Sequence, residues 1–215
     1  ITLNRPAQRN AMNMELRRTL MGYLQRVRED DDIRAALLTG AGETFSAGAD
    51  LKERASGGGG RSQDNSPATL IEADSDAQWS TMKFEKPLIA AVDGYCLAGA
   101  LELAQMCDMR YASDDSRFGV IETRFAAGVV TFAMPWVIGQ RCRELIYTGD
   151  VIPAAEAFRL GLVNRVFPKA DLEAEVMKIA KRMSRVALAA LQWNKRALTQ
   201  TYETMGFSAA MQYGL

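Results

Sequence analysis

The sequence contains no histidine among its 215 residues. This absence excludes the serine and cysteine nucleophiles that depend on a histidine base. It also argues against an ordinary catalytic zinc site, because histidine is the usual ligand in such sites. We therefore predict neither a metal site nor a histidine-dependent hydrolase.

An excess of positive charge is also missing, because 26 Lys and Arg residues balance 26 Asp and Glu residues. Without an overall positive field the chain is poorly suited to gather nucleic-acid phosphates, so we expect no nucleic-acid partner. The most apolar stretch, residues 87–107, contains Asp93 and Glu102 and the turn-forming Gly94 and Gly99. These charged and turn-forming residues favour a segment buried in the core of a soluble protein over a segment that spans a membrane.

Cysteine is scarce, and its three positions, Cys96, Cys107 and Cys142, match no zinc-binding spacing. No signal peptide precedes the first strand-like residues, so we expect a cytoplasmic protein. The first residue is Ile1 rather than methionine, and a removed targeting segment therefore remains an open alternative.

The length and the 48% apolar content suit one domain, or a core with an appendage. Hydrophobic periodicity alternates between strand and helix, which predicts an α/β fold. Strands are predicted at residues 1–3, 33–38, 88–92, 109–112 and 162–167. Helices are predicted from a cap at Asn13 through Val27 and at residues 68–85, 99–107, 132–138, 141–147, 154–160, 171–204 and 208–213.

Two stretches between these elements are predicted to be loops. Residues 57–67 contain four consecutive glycines, which bury too little surface to offset chain entropy, so we predict a mobile surface loop. Residues 42–50 are predicted to form a loop that turns into a short helix.

Two turns of small residues could carry chemistry. In residues 45–52 the small side chains would let the backbone approach a ligand, and unpaired amides at the start of a helix can hold an anion. From spacing alone, a tight turn capped by Asp50 is the favoured interpretation. The second turn, residues 93–102, leads into an apolar helix that bears Glu102. A carboxylate there is either functional or a glutamate that lies at a helix end or faces the surface, and the sequence leaves both alternatives open.

Two further features are weak when taken alone. Glu122 follows twenty residues after Glu102, and base rates favour an exposed glutamate paired with Arg124 or Arg117. The glycines Gly40 and Gly42 follow a strand, as in a dinucleotide-binding turn. The third glycine of that fingerprint is absent, however, and no helix follows directly.

Taken in order, several segments of this chain resemble the enoyl-CoA hydratase/isomerase (crotonase) superfamily. They are spread along nearly the whole chain, at residues 1–6, 10–11, 45–52, 90–95, 102–104, 107–108, 118–119, 122 and 157–166. The resemblance implies an α/β crotonase-like spiral of strand–strand–helix (ββα) repeats over residues 1–167, followed by a helical C-terminal region over residues 168–215. It also implies assembly into a homotrimer or a dimer of trimers.

The same resemblance implies roles for individual residues. The backbone amides of Ala49 and Gly99 would form an oxyanion hole around the thioester oxygen of an acyl-CoA, and Glu102 and Glu122 would be the catalytic acids and bases. Substrate contacts would involve Ala49, Asp50, Leu51, Lys52 and Gly99. No separate cofactor is expected, because CoA is part of the substrate.

The implied activity is reversible hydration of a 2-enoyl-CoA. A double-bond isomerase or a hydroxyacyl-CoA dehydratase is the nearest alternative, since one oxyanion hole serves all three. A non-catalytic acyl-CoA binding protein and a nicotinamide-dependent dehydrogenase are the alternatives from other classes. Residues 125–132 depart from the Gly/Pro-rich stretch common in hydratases of the family, and the C-terminal helices look shorter. These differences bear on the acyl group or the reaction.

Overall fold

A computed structural model describes residues 1–55, 84–125 and 133–213. Within these ranges nine strands form two sheets. The strands are β1 (Thr2–Leu3), β2 (Ala36–Gly40), β3 (Thr44–Ser46), β4 (Leu88–Val92), β5 (Tyr95–Leu97), β6 (Met109–Ser113), β7 (Arg117–Gly119), β8 (Val151–Pro153) and β9 (Arg165–Phe167). The helices are α1 (Met14–Glu29), α2 (Leu51–Ala55), α3 (Gly99–Met106), α4 (Met134–Ile138), α5 (Cys142–Thr148), α6 (Ala154–Leu160), α7 (Leu172–Met183), α8 (Leu188–Thr204) and α9 (Phe207–Tyr213).

From β2 to β7, successive strands belong alternately to the first and the second sheet. The first sheet has the order β1-β2-β4-β6-β9 and is parallel throughout. The second has the order β3-β5-β7-β8, in which only the β7–β8 pair is antiparallel. Strands β2 and β3 lead into α2, and β4 and β5 lead into α3. The predicted strand–strand–helix repeat is therefore present.

The first sheet is buried on both faces, which explains the continuous apolar run in β4. Leu88, Ala90 and Val92 face the main core, to which α1 and α3 contribute. Ile89 and Ala91 point to the opposite face and pack with Val176 of α7. This alternation follows from the two-residue period of a strand.

Glycine is required where the chain crosses from the first sheet to the second. A Cβ atom at Gly40 would lie 2.4 Å from the carbonyl oxygen of Thr44. At Gly94, which has a φ of +68°, a Cβ atom would lie 2.0 Å from the carbonyl oxygen of Glu43. A larger residue at either corner would separate the two sheets.

Several predicted elements are confirmed. Helix α1 begins where predicted, and the Asn13 side chain accepts a hydrogen bond from the Leu16 amide at 2.9 Å. The helical region predicted at 171–204 consists of two helices, α7 and α8. Of the strand predicted at 162–167, only the last three residues form a strand, β9. The periodicity predicted none of the four strands of the second sheet. Strand β3 lies in the loop predicted at 42–50, and the other three lie between predicted elements.

Other predictions concern residues that lie wholly or mainly outside the described ranges. They are the loop at 57–67, most of the helix at 68–85 and most of the atypical segment at 125–132. The division of the chain at residue 167 stays a prediction. Within residues 1–55, 84–125 and 133–213, no helix combines the length and apolar character needed to cross a membrane.

Candidate active site

The residues singled out by the sequence follow three strands of the second sheet. Ala49 comes shortly after β3, Gly99 after β5 and Glu122 after β7. These three strands are parallel neighbours, so their carboxyl ends meet at one edge of the sheet. Such an edge is the usual location of ligand sites in parallel α/β sheets.

The two small-residue turns are in direct contact. Gly48, which has a φ of +95°, lies so close to the second turn that a Cβ atom there would be 2.9 Å from Ala98 Cβ and 3.3 Å from the Gly99 nitrogen. The nearest atom to a Cβ built on Gly99 would be Cε of Met12, at 3.6 Å. The fold thus brings the segments of Ala49 and Gly99 side by side, as the resemblance implied.

The backbone amides of these two residues are available to a ligand. Ala49 forms a parallel bridge with Met12 in which Gly48 and Asp50 make the hydrogen bonds, so the Ala49 N–H points away from Met12. Gly99 is the first residue of α3 and has no acceptor within the helix. Within the described part of the chain, neither N–H donates to a protein acceptor.

Ala98 holds the second turn in a strained conformation. Its φ of 52° and ψ of −133° lie in a region that favours glycine. The Ala98 amide donates to the Gly119 carbonyl at 2.9 Å, and the Ala98 carbonyl accepts from Leu101 at 2.9 Å. Such backbone strain costs about 1–3 kcal/mol and is concentrated at functional sites. Here it orients the peptide that carries the Gly99 N–H.

Glu102 lies in the first turn of α3 and is only 3% exposed. The surface-facing alternative for this residue is therefore excluded. The amino end of a helix favours a negative charge, which offsets part of the cost of burying a carboxylate.

Glu122 begins a 3₁₀ turn, Glu122–Phe125, and its Oε2 atom is shielded from solvent. Arg124 forms an ion pair with Asp150 at 3.4 Å. Arg117 donates to the carbonyl oxygens of Asp115 and Ser116. Both arginines thus have partners other than Glu122.

The segment predicted to contact the substrate is anchored at Asp50. The Asp50 Oδ1 atom accepts from the amides of Lys52 at 3.1 Å and Glu53 at 3.3 Å, and so caps α2. Its Oδ2 atom pairs with Arg5 at 2.8 Å, and this hydrogen bond lowers the pKa of the Asp50 carboxyl. The tight turn capped by Asp50, which the spacing favoured, is therefore present. Leu51 and Lys52 are exposed, so their side chains are accessible to a ligand.

No metal centre is found in the described ranges, where no group of three or more His, Cys, Asp or Glu residues could hold an ion. The three cysteines are free and buried. Burial raises the pKa of the Cys107 thiol to about 12, so it stays protonated at neutral pH.

Sequence reasoning missed the residues that fix the first turn. The buried Ser46 hydroxyl donates to the carbonyl of Asn10 at 2.8 Å and accepts from the Gly48 amide at 3.2 Å. Arg5 pairs with Asp50, although 45 positions separate the two in sequence. Residues 1–6 and 10–11 were the available signal, since they carry part of the family resemblance, but no role for Arg5 or Asn10 was predicted from them.

Known proteins match both the sequence and the fold. The sequence model of the enoyl-CoA hydratase/isomerase family matches residues 1–212. A probable enoyl-CoA hydratase of Mycobacterium bovis is 36% identical over 211 residues, which cover 95% of this chain and 78% of that protein. The 2,3-dehydroadipyl-CoA hydratase of Escherichia coli is 36% identical over 220 residues, covering 100% of this chain and 81% of its own.

A crystal structure of an enoyl-CoA hydratase/isomerase from Xanthobacter autotrophicus Py2 superposes with a TM-score of 0.93 at 36% identity. The match covers 100% of this chain and 80% of that one. It confirms the predicted crotonase-like α/β architecture with a helical C-terminal part. The chain therefore belongs to the enoyl-CoA hydratase/isomerase family, the crotonase superfamily.

Proposed function

We propose that the protein catalyses the reversible addition of water to a 2-enoyl-CoA thioester. The observation that carries this proposal is the contact between the Gly48–Ala49 and Ala98–Gly99 turns, beside the buried Glu102. The relatives in Mycobacterium bovis and Escherichia coli are also named as hydratases.

The amides of Ala49 and Gly99 form the oxyanion hole in this proposal. Two N–H groups that donate to the thioester oxygen withdraw electrons from the conjugated system and make the β-carbon electrophilic. As water adds, negative charge collects on the same oxygen. One such donor is typically worth about 2.7–4 kcal/mol of barrier.

Glu102 and Glu122 handle the protons. Glu102 mainly activates the water, whose oxygen bonds to the β-carbon, and Glu122 mainly delivers a proton to the α-carbon. The proton that Glu102 accepts from the water is passed back to Glu122 before the next turnover. Over one cycle water therefore supplies both the hydroxyl and the new hydrogen, and no external oxidant or reductant is needed. General acid–base groups contribute about a hundredfold to ten-thousandfold in rate.

The residues Ala49, Asp50, Leu51 and Lys52 border the CoA part of the substrate in this proposal, together with Gly99. The exposed Lys52 supplies a cation for the phosphate-bearing end, whereas the Asp50 carboxylate caps α2. No separate cofactor takes part. Assembly into trimers or pairs of trimers is part of the proposal and rests on the resemblance. A cytoplasmic location is also proposed, from the odd number and the spacing of the three cysteines.

An isomerase is the second candidate, because the family description itself includes that activity. An oxyanion hole stabilises the dienolate of double-bond migration as well as the enolate of hydration. In that reaction one carboxylate removes a proton and returns it at another carbon, and no water is consumed.

The test is liquid chromatography with mass spectrometry of the products formed from a panel of 2-enoyl, 3-enoyl and 3-hydroxyacyl thioesters of CoA. The absorption of the conjugated thioester is recorded as well, because 2-enoyl-CoA and 3-enoyl-CoA have the same mass. We expect a gain of one water by 2-enoyl-CoA and the reverse loss from 3-hydroxyacyl-CoA. Conversion of 3-enoyl-CoA to 2-enoyl-CoA without hydration would favour the isomerase. Binding without any product, in a folded protein, would reject both reactions in favour of a non-catalytic acyl-CoA binding protein.

A further inference from the structure

The Arg5 side chain bridges two segments that are distant in sequence. Its Nη1 atom donates to the Ala11 carbonyl at 2.5 Å and to Asp50 Oδ2 at 2.8 Å. The Arg5 and Asp50 side chains are 26% and 12% exposed, so water screens this ion pair only in part. One guanidinium thus ties the loop before α1 to the residue that follows Ala49.

The loop at residues 9–12 determines the position of the Ala49 peptide. The Ala47 amide donates to the Arg9 carbonyl at 3.0 Å, and the Met12 amide donates to the Gly48 carbonyl at 2.7 Å. The Asp50 amide donates to the Met12 carbonyl at 3.2 Å. Residues on both sides of Ala49 are therefore bonded to this loop.

The loop needs support of its own, because its backbone is not in a relaxed conformation. Arg9 and Asn10 both have left-handed φ values, 51° and 52°. The fully buried Asn10 side chain accepts from the Arg5 amide at 2.8 Å and donates to the Thr44 carbonyl at 2.6 Å. The Arg5 backbone and side chain both take part in fixing the loop, and the side chain alone reaches Asp50.

We propose that Arg5 is a positioning residue for the oxyanion hole, acting through the Ala11 carbonyl and Asp50 on the direction of the Ala49 N–H. This inference rests on the proposed function of Ala49. Because a displacement of about 1 Å at a reacting group can cost a hundredfold in rate, loss of the Arg5 side chain should slow turnover.

The test combines kinetics with the ultraviolet spectrum of a bound conjugated thioester, cinnamoyl-CoA. Donors to the thioester oxygen move the absorption band of such a probe to longer wavelength, because excitation shifts electron density onto that oxygen. In Arg5→Ala we expect a smaller red shift at saturating protein. We also expect kcat to fall about tenfold to a hundredfold with a much smaller change in KM. Added guanidinium ion should restore part of the shift.

Arg18→Ala is the matched control, because Arg18 is an exposed arginine on the neighbouring helix α1. We expect it to keep the spectrum and kcat of the wild type. If Arg5→Ala fails to fold, Arg5→Lys replaces it, and we expect an intermediate shift and an intermediate kcat. A folded Arg5 variant with lowered thermal stability but a wild-type spectrum and kcat would overturn the inference and make Arg5 a purely structural residue. No red shift on the wild-type protein would instead reject the oxyanion hole itself.

Discussion

The two sheets of this protein are built from different kinds of strand. In the first sheet β4 has five consecutive buried residues, Leu88–Val92, and both of its faces are covered. In the second sheet β3, β5 and β7 have three residues each, with a fully buried residue at the centre: Phe45, Cys96 and Phe118. All five residues of β4 are therefore buried, whereas each of the three short strands has at most two buried residues.

The candidate catalytic groups all follow strands of the second sheet. A short strand with a buried central residue is enough to fix the direction of the chain. The residues that follow it can then turn towards a ligand. We infer that the first sheet mainly supplies stability and that the second mainly supplies the geometry of the site. Substitutions in the two sheets should therefore change different measured quantities.

The largest effect is expected from the carboxylates. Glu102→Gln and Glu122→Gln keep the size of each side chain but remove its ability to exchange a proton. Each should lower kcat about a hundredfold to ten-thousandfold and leave thioester affinity nearly unchanged. The rate is followed by the loss of the enoyl-thioester absorption. Full hydration by Glu122→Gln, with hydration lost in Glu102→Gln, would make Glu122 a structural residue.

A smaller loss of rate is expected from Gly48→Ala. The added Cβ would lie 2.9 Å from both Ala98 Cβ and the Leu97 carbonyl oxygen, at a φ of +95°. The two turns should be pushed apart, which would lower kcat about a hundredfold. Gly22→Ala is the control, because Gly22 has no atom within 4 Å of an added Cβ. Equal activities of the two variants would contradict the contact between the turns.

Leu38→Ala tests the first sheet. Leu38 is 1% exposed and pairs with Ala90 across β2 and β4. Its truncation should lower the free energy of unfolding by about 2–5 kcal/mol, because it leaves a cavity. The kcat of the folded fraction should not change. Urea denaturation measures the loss, and Leu198→Ala, at a 63% exposed position of α8, should cost no more than about 0.5 kcal/mol. A large fall in kcat would show that the sheets are not separable.

The smallest effect is expected at the strained residue. Ala98→Gly should leave stability unchanged or raise it by up to about 1 kcal/mol, because relief of strain competes with added freedom in the unfolded chain. Ala100→Gly, at the second residue of α3, where φ is not positive, should instead lose about 1 kcal/mol. Thermal denaturation compares the two. Equal losses would show that Ala98 is not strained.

The sequence predicted one sheet well and the other poorly, for a physical reason. Strand β4 has five consecutive apolar residues, which is long enough to be recognised in the sequence. The start of α1 could be recognised because an asparagine side chain such as that of Asn13 commonly caps a helix. Strands of three residues, such as β3, β5 and β7, are too short for a two-residue period to be recognised. Strand β9 is equally short and was predicted only as part of the longer apolar segment at residues 162–167. The second sheet could be expected only from the family resemblance.

The same limit applies to the candidate site. The composition of the two turns and the apolar helix around Glu102 identified candidate residues, because small residues and a carboxylate in an apolar segment are local features. The support of the first turn by Arg5, Asn10 and Ser46 depends on contacts between distant segments. No local pattern reports such contacts.

The most direct test of the account is the rate of hydration by the Glu102→Gln/Glu122→Gln double variant, measured beside both single variants and the wild type. If the two carboxylates act on one water, removing the second adds little once the first is lost. The account therefore predicts a double variant much less impaired than the product of the two single effects. A loss equal to that product, in proteins with unchanged stability, would contradict it.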